Sequence, residues 1–425
     1  MLEQQKRLWY GTMGVDWAER IDFARMKQER LAKMQATLKK HGIPALIVTS
    51  AAAKRYCTGI RSPEHVGPGD SFVLVFAEDA NSIVWEVPAI YYHERGRTPW
   101  IRPENYRVGS SFWSVSTGRF YREEEGKRVA QEIYDELKKK GLAKERIATE
   151  SLFPWIRTPL QNLGLNLVDA LDMVFETMRT KTQDEISCMR MGGAIVDIAF
   201  AAVMEKMRVG MRENEVASLV MEALWKNGCE MTGLPAIRTG PNTAPNHIGR
   251  SPTDRIIQPG DLVFMDLWGV SYMGYRTCYY RTFKVGTKPT IKEKDHYKKT
   301  YEYLYNAVEV CKAGVEIAEV AKAFPPASVW GLDDERIAVI NAMGHNLGLV
   351  QYMPPFIARL YIPYFEKERP VLEEGMTLAL ETWAGEPGVG GCRLENVYLI
   401  TKNGCENLYC MPDKEILIPP GSTYD

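Results

Sequence analysis

The polar stretch MRTKTQDEISCMR, residues 178–190, separates two halves of the sequence that have different patterns. Before it, helical and strand-like segments alternate, which predicts an α/β layer domain that ends near residue 175. Within the stretch, Thr182 and Glu185 have the spacing of a capping box and predict the start of a long helix. After it, paired helices alternate with longer strand-like runs. We therefore predict two domains, over residues 1–175 and 176–425.

The composition restricts the class of protein and its compartment. Hydrophobic residues make up 45% of the chain, charged residues make up 25%, and the formal net charge is −1. These values are typical of globular proteins and argue against a nucleic-acid partner. We identify no leader and no apolar run near 18 residues, so we expect a soluble, cytoplasmic protein without a membrane partner. The eight cysteines form no CxxC pair and are expected to be reduced.

Four residues with metal-binding side chains lie on separate strand-like runs of the second half. They are Asp266 in FMD, His345 in MGHNLGL, Glu381 in LALETW and Glu395 in RLENV. Oxygen and imidazole ligands suit a hard or borderline divalent ion, and strands from distant parts of the chain can converge on one centre. Any one of these residues alone would be typical of a solvated strand face. Together they indicate a metal site.

Several segments of the chain resemble the pita-bread fold family, which includes methionine and Xaa-Pro aminopeptidases, prolidase and creatinase. The resemblance rests on TGPNTAPNH, IIQPGDLVFMD, GYRTCYYRTF, GHNLGL, LEEGMTLALE and RLENVYLITKNGCENL. It implies a creatinase-like α/β N-terminal domain followed by an α+β pita-bread catalytic domain, assembled as a homodimer. It also implies that five positions hold two metal ions: Asp266, Cys278, His345, Glu381 and Glu395.

Cys278 departs from the family pattern, because the peptidases resembled here have an aspartate at this position that bridges both ions. We therefore expect one divalent ion per subunit, either Zn, Fe or Mn, with Cys278 as a ligand that would favour a softer ion. The alternative is a metal-free pocket, as in creatinase.

Gln351 and Tyr352 mark a second departure, since the family peptidases place a histidine in this segment. The loop lengths resemble the dimethylsulfoniopropionate lyase branch instead, although that lyase has aspartates where this chain has Trp268 and Gln351. We therefore expect a hydrolase or lyase that cleaves a C–N or C–S bond in a small polar or zwitterionic molecule, and not a peptidase. The alternatives are an Xaa-Pro-type metallopeptidase with a modified centre, and a binding protein without catalysis.

His247 in APNHIGR is predicted to be the catalytic acid or base, because the family histidine there faces the substrate and its ordinary pKa suits proton transfer. Glu381 and Glu395 complete the predicted catalytic set. The aromatic stretch 85–121 has two interpretations: packing of the first domain, or a wall that binds a cationic substrate by cation–π attraction. The predicted substrate-binding residues are Trp85, Tyr91, Tyr92, Trp113, Trp268, Gln351 and Tyr352.

Overall fold

A computed structural model of the protein describes residues 21–61, 70–110, 118–244, 251–386 and 388–422. The chain divides into two compact units: residues 23–178 form the N-terminal unit, and Ile21 and Asp22 group with the residues from Arg179 onward in the C-terminal unit. The main point of division falls between Met178 and Arg179. This point lies three residues after the boundary expected from the sequence. His247 and Trp113, two of the predicted site residues, lie outside the described residues.

The N-terminal unit alternates helices and strands. Its helices are α1 (Phe23–Lys40), α2 (Ala51–Thr58), α3 (Tyr91–Arg97), α4 (Arg119–Lys139), α5 (Pro154–Asn162) and α6 (Leu171–Met178). Its strands are β1 (Ala45–Val48), β2 (Phe72–Phe76), β3 (Ile83–Glu86), β4 (Tyr106–Val108), β5 (Arg146–Thr149) and β6 (Asn166–Asp169). They form one mixed sheet in the order β4-β3-β2-β1-β5-β6.

A buried apolar cluster joins this sheet to the helices that cover it. Trp85 on β3 is fully buried in the cluster, its ring lies 6.4 Å from that of Phe72, and its indole N–H donates to Glu132 Oε2 at 2.9 Å. Val129 and Ile133 of α4 belong to the same core. The structure thus assigns Trp85 to core packing, the first of the two interpretations of the aromatic stretch.

The C-terminal unit contains longer helices and strands. Its helices are α7 (Gln183–Lys206), α8 (Glu213–Lys226), α9 (Ile291–Val310), α10 (Ile317–Ala323), α11 (Glu335–Ala338) and α12 (Ile362–Glu368). The strands of the first half are β7 (Ala236–Thr239), β8 (Leu262–Asp266), β9 (Ser271–Tyr272), β10 (Tyr275–Arg276) and β11 (Tyr280–Lys284). The remaining strands are β12 (Ala342–Asn346), β13 (Met353–Ile357), β14 (Thr377–Glu386), β15 (Gly390–Ile400) and β16 (Cys405–Asn407).

The large sheet of this unit runs β13-β12-β14-β15-β11-β8-β7, with β16 paired to β15. The pairs β12–β14, β14–β15, β15–β11 and β11–β8 are antiparallel. Residues directly opposite each other on such strands have side chains on the same face of the sheet. Five neighbouring strands can therefore present their polar residues to one shared space.

Helix α7 begins with the capping box that the sequence predicts. The Glu185 carboxylate accepts from the Thr182 backbone N–H at 2.8 Å, and the Thr182 hydroxyl accepts from the Glu185 N–H. The helix has the length and hydropathy of a membrane span, but 67% of its most apolar window is buried inside the protein. Such burial is typical of a core helix.

Candidate metal centre

Four polar residues form a continuous row across four strands. Asp266 on β8 lies opposite Tyr280 on β11, Tyr280 lies opposite Glu395 on β15, and Glu395 lies opposite Glu381 on β14. All four side chains are buried. Because paired residues share a face, the three carboxylates and the phenol of Tyr280 occupy one side of the sheet.

His345 reaches this face from β12. Met343 lies opposite Glu381, and His345 lies two residues further along the same strand, so both point to the same side. Gly344, between them, faces the other side, where an added Cβ would come within 2.4 Å of Leu380 Cδ2. The glycine thus allows β12 to pack closely against β14, which holds the fully buried imidazole beside the carboxylates.

Cys278 completes a group of three possible ligands. It lies two residues before Tyr280, and its Sγ, one imidazole nitrogen of His345 and one carboxylate oxygen of Glu395 all lie within 4.8 Å of one another. All three residues are buried, and Cys278 forms no disulfide. Thiolate, imidazole and carboxylate are each established ligands of divalent transition metals.

The centre has buried acceptor atoms that lack a well-formed hydrogen bond among the described residues, although the Tyr280 hydroxyl lies near Glu381 and the Cys278 thiol lies near Glu395. Neither carboxylate oxygen of Glu381 or Glu395 makes a hydrogen bond of normal geometry there, and neither does His345 Nε2. Buried polar atoms are normally paired, because leaving one unpaired costs about 1–3 kcal/mol. Acceptors that face one space without well-formed hydrogen bonds therefore fit a bound cation.

The pKa values of the side chains, considered without a metal ion, also favour a cation at this site. Burial raises the pKa of Glu395 well above its usual range, and the negative charges of Glu381 and Asp266 add to the effect. Burial likewise raises the pKa of Glu381 and of the Cys278 thiol. A bound divalent ion would reverse these effects, because its positive charge favours carboxylate and thiolate over their protonated forms.

His345 is arranged to offer a lone pair. Burial lowers the pKa of its imidazole to about 4, so the ring is neutral at ordinary pH. Its Nδ1 lies 3.3 Å from the Asn346 carbonyl oxygen, and the ring also interacts with the backbone of Gln351. In the tautomer that carries its proton on Nδ1, that nitrogen donates to Asn346 and Nε2 offers the lone pair. Such an outer hydrogen bond is the usual way in which proteins orient a metal-binding histidine.

Arg393 is the positive charge that the described structure places beside the row. It lies two residues before Glu395 on β15, and its Nη1 lies 3.8 Å from Glu381 Oε2, within ion-pair range but beyond hydrogen-bond distance. One guanidinium offsets only part of the charge of three carboxylates. The sequence analysis missed both Arg393 and Tyr280, although their spacing of two residues from Glu395 and Cys278 placed them on the same face.

Tyr352 and Gln351 lie next to the group of possible ligands. The Tyr352 ring centroid is 4.6 Å from that of His345, and the side chain is partly exposed. Burial raises the pKa of the Tyr352 hydroxyl, with further effects from Cys278 and the nearby carboxylates. Gln351 Nε2 donates to the Thr277 carbonyl at 3.1 Å, while its Oε1 has no donor among the described residues.

The other predicted substrate-binding residues have different surroundings. The Trp268 indole N–H donates to the Leu234 carbonyl at 3.0 Å. In the N-terminal unit, Tyr92 is exposed, and the Tyr91 ring makes edge-on contacts with the rings of Tyr92 and Tyr106. These contacts give no evidence that the aromatic residues bind a substrate.

Comparison with known proteins identifies the family. The family model "Metallopeptidase family M24" matches residues 187–402, about half of the chain, and "Creatinase/Prolidase N-terminal domain" matches residues 30–180. The chain belongs to metallopeptidase family M24. The predicted fold class, a creatinase-type N-terminal domain before a pita-bread catalytic domain, is confirmed. The M24 match also implies a divalent metal ion.

The relatives of this M24 chain carry peptidase names. The Xaa-Pro dipeptidase of Pyrococcus furiosus is 32% identical over 243 residues, which cover 56% of this chain and 65% of that protein. The chain therefore matches just under two thirds of that relative. The Xaa-Pro dipeptidase of Lactobacillus delbrueckii subsp. lactis is 27% identical over 397 residues, 92% of this chain and 99% of that protein.

Solved structures of a prolidase and of a dipeptidase share the fold of this chain. The prolidase from Pyrococcus horikoshii OT3 has a TM-score of 0.69 at 24% identity and covers 90% of this chain and 99% of that one. Dipeptidase PepE from Mycobacterium ulcerans has a TM-score of 0.72 at 21% identity and covers 94% of this chain and 99% of that one.

These relatives overturn two expectations from the sequence. The expectation of a small-molecule hydrolase or lyase is wrong, and so is the expectation that the chain is not a peptidase. The closeness to the lyase and creatinase branch finds no support. The replacements at Cys278 and Gln351 change single residues of the centre and do not by themselves remove its capacity to bind a metal. The structure instead gathers Cys278 with His345 and Glu395 in a group able to bind a metal.

Proposed function

We propose that this protein is a metal-dependent dipeptidase that hydrolyses Xaa-Pro dipeptides. The observation that carries the proposal is the buried group of Cys278, His345 and Glu395, whose ligand atoms lie within 4.8 Å of one another. The group lies in a chain whose M24 relatives include Xaa-Pro dipeptidases. Peptide substrates replace the small-molecule substrate expected from the sequence.

The residues of the centre fit a divalent ion. The unpaired acceptors of Glu381, Glu395 and His345 are of the kinds that such ions bind. Five residues around the centre carry side chains that can bind such an ion: Asp266, Cys278, His345, Glu381 and Glu395. When bound, the ion polarises the peptide carbonyl and lowers the pKa of a water molecule. We propose one ion per chain, Zn, Fe or Mn.

The protein's own residues have separate tasks in this proposal. The Glu381 carboxylate accepts the proton of the attacking water and returns it to the leaving proline nitrogen, which is general acid–base catalysis. Gln351 Oε1, buried without a donor among the described residues, accepts a hydrogen bond from the free ammonium group of the dipeptide. The Tyr352 hydroxyl, partly exposed beside His345, donates to the substrate. His247 remains the predicted second acid or base.

The predicted homodimer also belongs to this proposal. The resemblance to creatinase and prolidase implies a pocket that the N-terminal domain of a second copy closes. Tyr91, Tyr92 and Trp113 are the residues proposed to act there.

A substrate panel tests the function. The zinc-loaded protein is assayed with Ala-Pro, Ala-Ala and dimethylsulfoniopropionate under identical conditions. We expect kcat/KM for Ala-Pro to exceed that for Ala-Ala by at least about tenfold, a typical gain from a pocket shaped for one side chain. Cleavage of dimethylsulfoniopropionate without cleavage of Ala-Pro would overturn the proposal.

A further inference from the structure

We propose that the M24 centre of this chain is a single-ion site in which Cys278 thiolate, His345 and Glu395 bind the metal. We further propose that the phenol of Tyr280 fills the place beside Asp266 that a second ion would need. This inference rests on the proposed metallopeptidase function. It goes further by reducing the ligands to three, by naming zinc as the preferred ion and by giving a structural reason why only one ion binds.

The three ligand atoms are close to the arrangement that a single ion requires. Ligands at 2.0–2.3 Å from a tetrahedral zinc ion lie about 3.5 Å from one another. The atoms of Cys278, His345 and Glu395, which come from the segment before β11, from β12 and from β15, already lie within 4.8 Å of one another. Shifts of about 1 Å or less would close the site. Three protein ligands and an open fourth position are the usual pattern of catalytic zinc sites.

The thiol changes which ions the site prefers. A carboxylate offers two hard oxygens that can bridge a pair of ions, whereas a cysteine offers one soft sulfur. Thiolate ligands favour zinc, while sets made of carboxylates and water suit manganese. The buried position of Cys278 keeps bulk water from the sulfur.

Tyr280 lies in the part of the row that contains Asp266. It lies opposite Asp266 on one side and opposite Glu395 on the other, so its side chain stands between these two carboxylates. Its ring packs in a small apolar cluster with Ala236 and edge-on against Phe264, with ring centroids 5.2 Å apart. The packing fixes a bulky aromatic side chain where a second ion would have to lie between Asp266 and Glu395. Its hydroxyl lies near the Glu381 carboxylate and can supply a hydrogen-bond donor to the row in place of a cation.

Metal counting and cobalt spectroscopy test the inference on the full-length protein. Apoprotein is saturated with Zn(II), desalted, and its metal content is measured by mass spectrometry. We expect one zinc per chain, rising to two in the double variant Cys278→Asp/Tyr280→Ser. The single variant Cys278→Asp should reduce the preference for zinc over manganese by at least about tenfold.

Co(II) gives a readout that is independent of catalysis, because a cobalt–thiolate bond produces a near-ultraviolet charge-transfer band. The band should appear in the wild type and disappear in Cys278→Ser. Cys392→Ser is the matched control: Cys392 is an equally buried cysteine on β15, within the apolar cluster of Leu262, Tyr297 and Ile416. The control should retain the band at full intensity.

Four outcomes would overturn the inference: two zinc ions per wild-type chain, a cobalt band that survives in Cys278→Ser, loss of the band in the Cys392→Ser control, or a folded double variant that still binds one ion. The test separates the inference from the proposed function. One thiolate-bound ion without hydrolysis of Ala-Pro would contradict the function alone. Hydrolysis by a two-ion protein without the band would contradict the inference alone.

Discussion

Glu381 and Glu395 lie directly opposite each other on β14 and β15, both buried. Their carboxylate oxygens make no hydrogen bond of normal geometry with the described residues. Like charges in this position destabilise a sheet. A cation between the two carboxylates would turn this repulsion into binding energy, so the pair links the stability of the protein to its metal content.

Replacing Glu381 with Gln should raise the stability of the metal-free protein and weaken its stabilisation by zinc. The amide keeps the shape of the side chain but removes a buried charge, so we expect a gain of about 1 kcal/mol in the free energy of unfolding at pH 8. Urea unfolding with a chelator and then with excess zinc measures both effects. Glu374→Gln, at an exposed carboxylate, is the control and should change neither value. Two results together would contradict the prediction: a lower free energy of unfolding for the variant than for the wild type in chelator, and an equal increase of that free energy in both proteins on addition of zinc.

Metal removal should lower the melting temperature of the wild-type protein. An ion that binds only the folded state adds about 2.7 kcal/mol to the free energy of unfolding at a free concentration of 100 Kd. Thermal unfolding at increasing zinc concentration should follow this relation, and His345→Ala should remove most of the increase. An equal increase in His345→Ala would show that zinc binds elsewhere.

Replacing Tyr352 with Phe should reduce catalysis without altering the fold. The ring contact with His345 is kept, while the hydroxyl beside the ligands is lost. Loss of one hydrogen bond, about 0.5–1.5 kcal/mol, predicts a fall in kcat/KM for Ala-Pro of about 2- to 12-fold. Tyr364→Phe, at an exposed tyrosine on α12, serves as control. Unchanged kcat/KM in Tyr352→Phe would remove this residue from the substrate site.

Lys54 should make the stability of the protein rise with pH in alkaline solution. Burial lowers the pKa of its ammonium group to about 8, against an ordinary value of 10.5. Between these values the unfolded chain binds a proton that the folded chain does not, so the free energy of unfolding increases with pH, by about 3 kcal/mol in total.

Urea unfolding measures this change as the free energy of unfolding of the wild type and of Lys54→Met. The two proteins are compared at about pH 7.5 and about pH 10, near the two ends of this window. The free energy of unfolding of the wild type should increase relative to that of the variant as the pH rises. Lys138→Met, at an exposed lysine of α4, should follow the wild type. Parallel pH profiles of wild type and Lys54→Met would refute the prediction.

Local signals in the sequence predicted much of the fold. The capping box at Thr182, the helix end near Gly42 and the strands β14 and β15 all appear in the structure, because each depends on nearby residues. Gly42 adopts a positive φ of 63°, as a residue after a helix commonly does.

The centre was harder to predict, because it depends on strand register. Tyr280 lies opposite Asp266, which is only 14 residues earlier in the chain, and opposite Glu395, which is 115 residues later. No local pattern encodes the second, long-range pairing. The function was hard to predict for a related reason: the replacement of a family aspartate by Cys278 does not show in the sequence whether the thiol can still bind a metal. Its value as a ligand depends on how near it lies to His345 and Glu395.

The most direct test of the account is proline release from Ala-Pro by zinc-loaded full-length protein, with chelated protein and His345→Ala measured beside it. The account predicts turnover in the usual range of enzymes, about 1–1000 per second, that is lost on chelation and in His345→Ala. Proline release no faster than that of the chelated protein would contradict it.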